Sequence, residues 1–360
     1  MSGAARAGDG GAFDVTVVVP AFQSAHLIGA TLASIEAQTL APRAVVVVDN
    51  GSSDGTAAVA AQAGATVLVV PGGGPSRARN AGIAAARTEW IAFCDADDLW
   101  EPHKLARHRD AARLCPDADL FFSDWLPFDE HGPVRETALC DDPVYRRLPH
   151  ARVAPGIVRF AQADIHAAIY RSMFVLTSTS VVRRVPLLAA GPFDERLRIA
   201  EDYDLFLRLL ARARAAAIEE PLVRYRRHPG NISADGEVNT DAHRDMWTLI
   251  EAAPERYPPG GLDFVRRDKP LRARIAGTFA ARRGRFAQAR RHLAESLRLE
   301  FSARAALWYA LSVACDNPLG RRALRAVQRT KDPARRNGGL APGPAGRRYD
   351  EPECRLPIAN

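Results

Sequence analysis

The chain lacks what a bilayer span requires: its longest apolar runs, 15–21 and 305–315, stop well short of the roughly 20 residues that cross a membrane as a helix. Its opening residues, MSGAARAGDGGAFD, contain no apolar stretch of the kind a secretion signal needs. Residues 1–12 therefore read as a flexible leader, and the expected location is cytoplasmic. Cysteine is scarce and scattered. Five residues (Cys94, Cys115, Cys140, Cys315, Cys354) with no CxxC pair argue against a disulfide framework or a zinc cluster and leave free thiols. With 47% apolar and 25% charged residues, the composition also excludes wholesale disorder.

Charge is present in excess, +7 overall, but it is unevenly spread. Residues 266–329 hold sixteen Lys or Arg against four acids, so the remainder of the chain is net acidic. A basic helical surface is first of all a solvated face. Its second use is contact with an anionic membrane, so peripheral attachment to the inner face of the membrane through the basic C-terminal helices is the expectation that goes with it. No nucleic-acid partner is expected.

The length suits one catalytic domain of roughly 240 residues and a smaller appendage. From Val15 the chain repeats a β-branched run, a turn and an amphipathic helix, the pattern of an α/β fold with a parallel sheet flanked by helices. Four strands are legible at 15–19, 44–48, 66–70 and 90–94. The helices after them carry Ile28, Leu32 and Ile35, open at Ser53 or Asp54, start near Ser76, and start at Pro102. Residues 127–155, with scattered Pro and Arg, read as a variable insertion. Order returns at 174–182, and a helix over 201–213 carries an apolar stripe. Beyond Asp241 the pattern is helical. Leu271, Ile275 and Phe279 form one stripe, Gly284 interrupts, and Phe286, Ala289, Leu293 and Leu297 form a second, as in a hairpin of tetratricopeptide type. The expected boundaries are a catalytic domain at 13–236, a helical extension at 241–330 and a disordered tail at 331–360.

In an open parallel sheet, ligands bind beyond the carboxyl ends of the strands. Here those ends read Pro20-Ala21-Phe22-Gln23, Asp49-Asn50-Gly51-Ser52-Ser53-Asp54, the glycines 72–74, and Asp95-Ala96-Asp97-Asp98. Asp95 and Asp97 are alternate residues of an extended segment, so their carboxylates point the same way. Two carboxylates side by side repel; a hard divalent cation, which also bridges the phosphates of a nucleotide, makes the arrangement favourable. A bare DxD also serves as a surface turn or helix cap, but the end of a buried strand favours the ligand. Arg77, Arg79 and Asn80 stand at the start of the helix after the glycine turn, where N–H groups and guanidinium favour an anion. GGGPSRARNAG lacks the GxGxxG order and follows the third strand, which argues against a dinucleotide loop.

The order of the pieces VVVPAFQ, VVVVDNGSSDGT, SRARNAGI, WIAFCDADDLWEPHKL and GPFDERLRIAEDYDLFLR resembles family 2 of the glycosyltransferases, over about residues 13–233. The resemblance implies a GT-A fold, a Rossmann-like mixed and mainly parallel sheet, followed here by the C-terminal helical extension. It implies inverting transfer of one sugar from a nucleoside-diphosphate sugar to a hydroxyl acceptor, assisted by Mn2+ or Mg2+. By that resemblance Pro20, Ala21, Phe22, Asp49 and Asn50 line the base pocket, and Arg79 and Asn80 belong to the donor site, with Arg79 neutralising the diphosphate. Asp95, Ala96 and Asp97 form the metal and ribose-diphosphate motif, with Asp97 the direct ligand and Asp98 a helix cap, and His228 closes the metal site. Glu201 and Asp202 match the catalytic acidic pair: Asp202 as general base, Glu201 binding acceptor or orienting the site. Outside the family, complementing a helix dipole is the plainer use of both. Phe193 and Asp194 would shape the acceptor side, and Trp100 and Trp125 either stack on a sugar ring or, the plainer use, fill core.

Many members carry a second acid where this chain has Asn50; an amide carbonyl still accepts from a pyrimidine imide, so a UDP- or dTDP-sugar is the expected donor. The acceptor, lipid-linked or saccharide, has no readable signature, and no QxxRW-type sequence points to processive polymerisation. Cell-surface polysaccharide or glycoconjugate synthesis is the expected setting. A non-catalytic scaffold retaining the fold is disfavoured by intact acids at Asp95, Asp97 and Asp202. A nucleotidyltransferase is disfavoured because no glycine-rich basic fingerprint follows the first strand.

Overall fold

A computed structural model of the chain describes residues 13–197, 199–228, 230–231 and 236–315. The expected leader 1–12, the end of the helical extension at 316–330 and the expected tail 331–360 lie outside the described residues. The chain begins with four βα units: β1 (Val15–Ala21), α1 (Ile28–Glu36), β2 (Ala44–Asp49), α2 (Thr56–Gln62), β3 (Thr66–Val69), α3 (Gly74–Ala85), β4 (Trp90–Phe93), the short β5 (Leu99–Trp100) and α4 (Lys104–Leu114). Then come β6 (Leu120–Asp129), β7 (Gly132–Pro133), β8 (Ala151–Ala154), β9 (Ile157–Arg159), α5 (Gln162–Ile169), β10 (Val181–Arg183), α6 (Arg184–Ala190), α7 (Glu201–Leu210) and β11 (Ala215–Arg226). Helices α8 (Gly236–Ala252), α9 (Gly261–Arg282), α10 (Phe286–Leu299) and α11 (Ala303–Ala314) complete it.

One sheet runs in the order β3-β2-β1-β4-β10-β6-β11-β9-β8. Strands β1 to β4, β6 and β11 all point one way, and the shorter strands pair antiparallel. β1 is buried along its whole length and so are the last four residues of β2, which is why both read as unbroken apolar runs. α1 covers one face with Ile28, Leu32 and Ile35. α3 approaches the other face so closely that a Cβ on Gly82 would lie 2.3 Å from Val18 Cγ1; glycine is what lets this helix sit on β1.

Several boundaries differ from those the sequence suggests. α2 opens at Thr56, because Asp54 uses its carboxylate on the backbone and hydroxyl of Thr56 while Gly55, at φ 91°, makes the turn. α4 opens at Lys104, not at Pro102. The insertion at 127–155 is part of the sheet at both ends, through β6, β7 and β8. Its anchor is Asp124, a fully buried carboxylate that accepts hydrogen bonds from the backbone N–H groups of Trp125, Ala138, Leu139 and Cys140.

The described residues divide into two compact units, the second made of the start of α8, 236–241, and of the chain from Val265, inside α9, onward. In the second, the buried side of α9 is not the stripe of Leu271, Ile275 and Phe279, which are only half-buried, but Ala273, Ala276, Gly277, Ala280 and Ala281. Small residues let α10 come close: a Cβ on Gly277 would meet Leu293 Cγ at 2.5 Å. Gly284, at φ 77°, makes the turn into α10, and Ala280, Ala281, Ala289, Leu293 and Ala305 share one apolar cluster. Among the described residues no helix is long and apolar enough to cross a membrane.

Candidate active site

The C-terminal ends of β1, β2 and β4 lie side by side, Ala21 opposite Asp49 and Val18 opposite Phe93, so the segments following them open on one edge of the sheet. Asp49 is buried and turned onto its own loop, accepting from the backbone N–H and hydroxyl of Ser52 at 3.0 and 2.5 Å. Asn50 is buried as well, its N–H donating to Ala21 O at 2.9 Å, and its side-chain Oδ1 has no hydrogen-bond partner among the described residues. Phe22, by contrast, is 59% exposed at the end of β1. An exposed aromatic face beside a buried carbonyl without a donor is a recess suited to a flat, N–H-bearing group.

The acidic loop after β4 is fastened from several sides. Asp95 N–H donates to Ser178 Oγ, Thr31 Oγ1 donates to Ala96 O, and Arg226 Nε donates to Asp97 O. Asp98 caps no helix; it is wholly buried and accepts from the backbone N–H of Arg226 at 3.0 Å, and burial holds its carboxyl well above the usual carboxylate range. Asp97 Oδ2 faces His228 Nε2 at 3.0 Å, and its pKa too is raised, first by burial and then by the neighbouring Asp95. Asp95 turns the other way. It pairs with Arg79 at 2.7 Å, because a guanidinium on a side chain only 6% exposed requires carboxylate partners.

Arg79 and Asn80 do not stand at a helix start. α3 begins at Gly74, which puts both in its second turn. Arg79 bridges Asp95 and Glu201 through two contacts of 2.7 Å, and its guanidinium lies 5.3 Å from the ring of Phe193. Its charge is therefore matched within the protein, and its effect is to hold the acidic loop against the first turn of α7. Asn80 exchanges two hydrogen bonds with the backbone of Phe193, at 2.9 and 2.8 Å, clamping the segment that precedes α7. Arg77, in the first turn, is half-exposed and reaches Gly72 O and Glu195.

Glu201 and Asp202 open α7 behind Ala200, whose φ of 64° is a left-handed conformation unusual for a residue with a Cβ. Glu201 is held by Arg79; Asp202 is half-buried, accepting from its neighbour Tyr203 N–H at 2.7 Å and from Thr177 Oγ1 at 3.3 Å. Burial, with the adjacent Glu201 charge, pushes the Asp202 carboxyl up to about 6. A carboxylate of that pKa, making no ion pair with a described residue, is equipped to take a proton near neutral pH.

Sequence reasoning passed over Thr177 and Ser178, which hold Asp202 and the acidic loop. The signal was present: four consecutive hydroxyl residues, Thr177 to Ser180, stand between apolar pairs and all four are buried, which polar groups tolerate only with partners. Trp100 fills core and donates its indole N–H to Ser178 O.

Among the described residues no three His, Cys, Asp or Glu side chains gather as a ready metal cluster. Asp97 Oδ2 and His228 Nε2 nonetheless fit a divalent cation by their separation, since two adjacent ligands of an octahedral ion, each about 2.1 Å from it, lie about 3 Å apart. Ions of this class keep a protein share of one or two donors and complete their shell with phosphate and water. His228 Nδ1 accepts from Gly230 N–H at 3.1 Å, which puts the ring proton on Nε2; ligation there requires the other tautomer.

The edge so assembled, with its mixed, mainly parallel sheet and flanking helices, belongs to an α/β enzyme of GT-A architecture. The profile of glycosyl transferase family 2 matches residues 16–122. The chain is 34% identical over 258 residues to the succinoglycan biosynthesis protein ExoO of Rhizobium meliloti, covering 69% of this chain and 70% of that one. It is a member of glycosyl transferase family 2. Among solved structures it is similar in fold to Staphylococcus aureus TarS 1–349, crystallised with UDP-GlcNAc, at a TM-score of 0.58 and 19% identity over 88% of this chain and 92% of that one. It is similar also to the mannosyltransferase PcManGT of Pyrobaculum calidifontis, solved in complex with GDP-Man and Mn2+, at a TM-score of 0.50 and 20% identity over 90% of this chain and 89% of that one.

Proposed function

We propose that the chain transfers one sugar from a nucleoside-diphosphate sugar to a hydroxyl of an acceptor, with inversion, in the assembly of a polysaccharide. The observation that carries this is the convergence of Asp97 with His228 and of Arg79 with Asp95 and Glu201, immediately beside a half-buried Asp202 of raised pKa. The donors bound to TarS and PcManGT and the role in the name ExoO support the donor class and the setting.

On this reading the base stacks on Phe22 and donates its imide N–H to Asn50 Oδ1, which favours a uridine or thymidine donor. Asp97 and His228 would hold Mn2+ or Mg2+, which supplies Lewis-acid charge to the departing diphosphate. Asp202 removes the acceptor hydroxyl proton as that oxygen attacks the sugar from the face opposite the leaving group. Arg79 positions Glu201 and Asp95 and keeps the developing charge from being met by two unscreened acids. Thr177 orients Asp202. A screen of nucleotide sugars by mass spectrometry, with and without Mn2+, tests the reading: metal-dependent release of the nucleoside diphosphate from at least one UDP- or dTDP-sugar is expected. Absence of turnover and of binding across the whole panel would overturn it.

A further inference from the structure

Two half-buried arginines near the active edge make no ion pair with a described carboxylate. Arg224 and Arg226 are alternate residues of β11, so both side chains leave the same face of the sheet, their Cα atoms about 7 Å apart. Each places its guanidinium over the buried ring of Phe128 at the end of β6, at 4.8 and 4.7 Å from the centroid. Arg79, Arg107, Arg183 and Arg208, buried or half-buried in the same unit, meet carboxylates, whereas the half-buried Arg184 makes no ion pair with a described residue. Arg226 spends one N–H on Asp97 O, and Arg224 makes no ion pair with a described residue. Contact with one ring does nothing to neutralise two like charges held this close.

Their place in the sheet says what would neutralise them. In the order β2-β1-β4-β10-β6-β11 the nucleotide-facing strands β1 and β2 lie on one side of the acidic loop, and β6 and β11 on the other. Through Arg226 the pair is tied directly to Asp97 and Asp98. An anion seated there adjoins the transfer centre from the side away from the base.

Resting on the function proposed above, we infer that Arg224 and Arg226, stacked on Phe128, form an acceptor subsite for a phosphate-bearing group, so that the acceptor is a glycosyl phosphate or diphosphate and not a neutral saccharide. Guanidinium forks suit phosphate oxygens, and their stacking on Phe128 fixes them in advance.

The test is a calorimetric titration of the full chain with Mn2+ and a saturating nucleoside diphosphate, so that the donor site is already filled. The titrants are an alkyl-linked glucosyl diphosphate, the matching alkyl glucoside and the matching alkyl glucuronide. The expected result is binding of the diphosphate at least about ten-fold tighter than either of the others. In Arg224→Gln that preference should fall by about ten-fold, while Arg224→Lys, which keeps the charge but not the fork, should lose less than Gln does. Equal binding of the diphosphate and the neutral glucoside, tighter binding of the glucuronide, no binding of any titrant at millimolar concentration, or an unchanged preference in a folded Arg224→Gln protein would each overturn the subsite. Failure of every nucleoside diphosphate to bind in the first step counts instead against the proposed function; the titration is then run without nucleotide and decides the subsite alone.

Discussion

At the scale of single residues, Asp202 and Arg79 do opposite things with charge. Arg79 sits between two acids and is held; Asp202 makes no ion pair with a described residue, and burial beside Glu201 raises its pKa to about 6. As a base it works only when ionised, so transfer should rise with pH through a midpoint near 6 and level off above it, read from kcat/KM across pH 5–8. In Asp202→Asn the limb near pH 6 should vanish and kcat should fall by about 10²-fold or more, with donor affinity largely kept. A carboxyl whose folded pKa lies above its unfolded value gives stability that is present at low pH and lost as pH rises through the folded value. The same variant should therefore melt no lower than the parent at pH 8, where the native carboxylate is ionised at a cost.

At the scale of elements, two close approaches set the geometry. α3 reaches β1 only because Gly82 has no Cβ, and Gly82→Ala, driven against Val18, should lower stability by about 1–3 kcal/mol in urea unfolding. α7 begins on a left-handed Ala200, and Ala200→Gly, which relieves that conformation, should stabilise by about 1 kcal/mol, partly offset by the looser unfolded chain. These elements also show what was legible beforehand. β1 and β2 were plain in the sequence because both faces are buried and the runs are unbroken; α1 was plain because Ile28, Leu32 and Ile35 repeat at helical spacing. Segment 127–155 was opaque because its order comes from one distant carboxylate, Asp124, acting on backbone groups that leave no side-chain pattern. The large side chains of α9 suggested one face, whereas close helix contact selected the alanine and glycine face.

At the scale of the whole molecule, acids far apart in sequence meet at one sheet edge. The acidic loop and the pair opening α7 are brought together by Arg79, a contact spanning 122 positions that no local pattern displays. His228 was legible by resemblance, and its partner Asp97 lies 131 positions away. The roles proposed for these groups separate cleanly in a donor-binding titration with Mn2+, comparing the parent chain with Asp97→Asn and Asp202→Asn. Asp202→Asn should bind the nucleotide sugar within about two-fold of the parent, whereas Asp97→Asn should lose about ten-fold or more and no longer respond to the metal. Equal weakening in both variants, or binding that ignores Mn2+ in the parent chain, would contradict those roles.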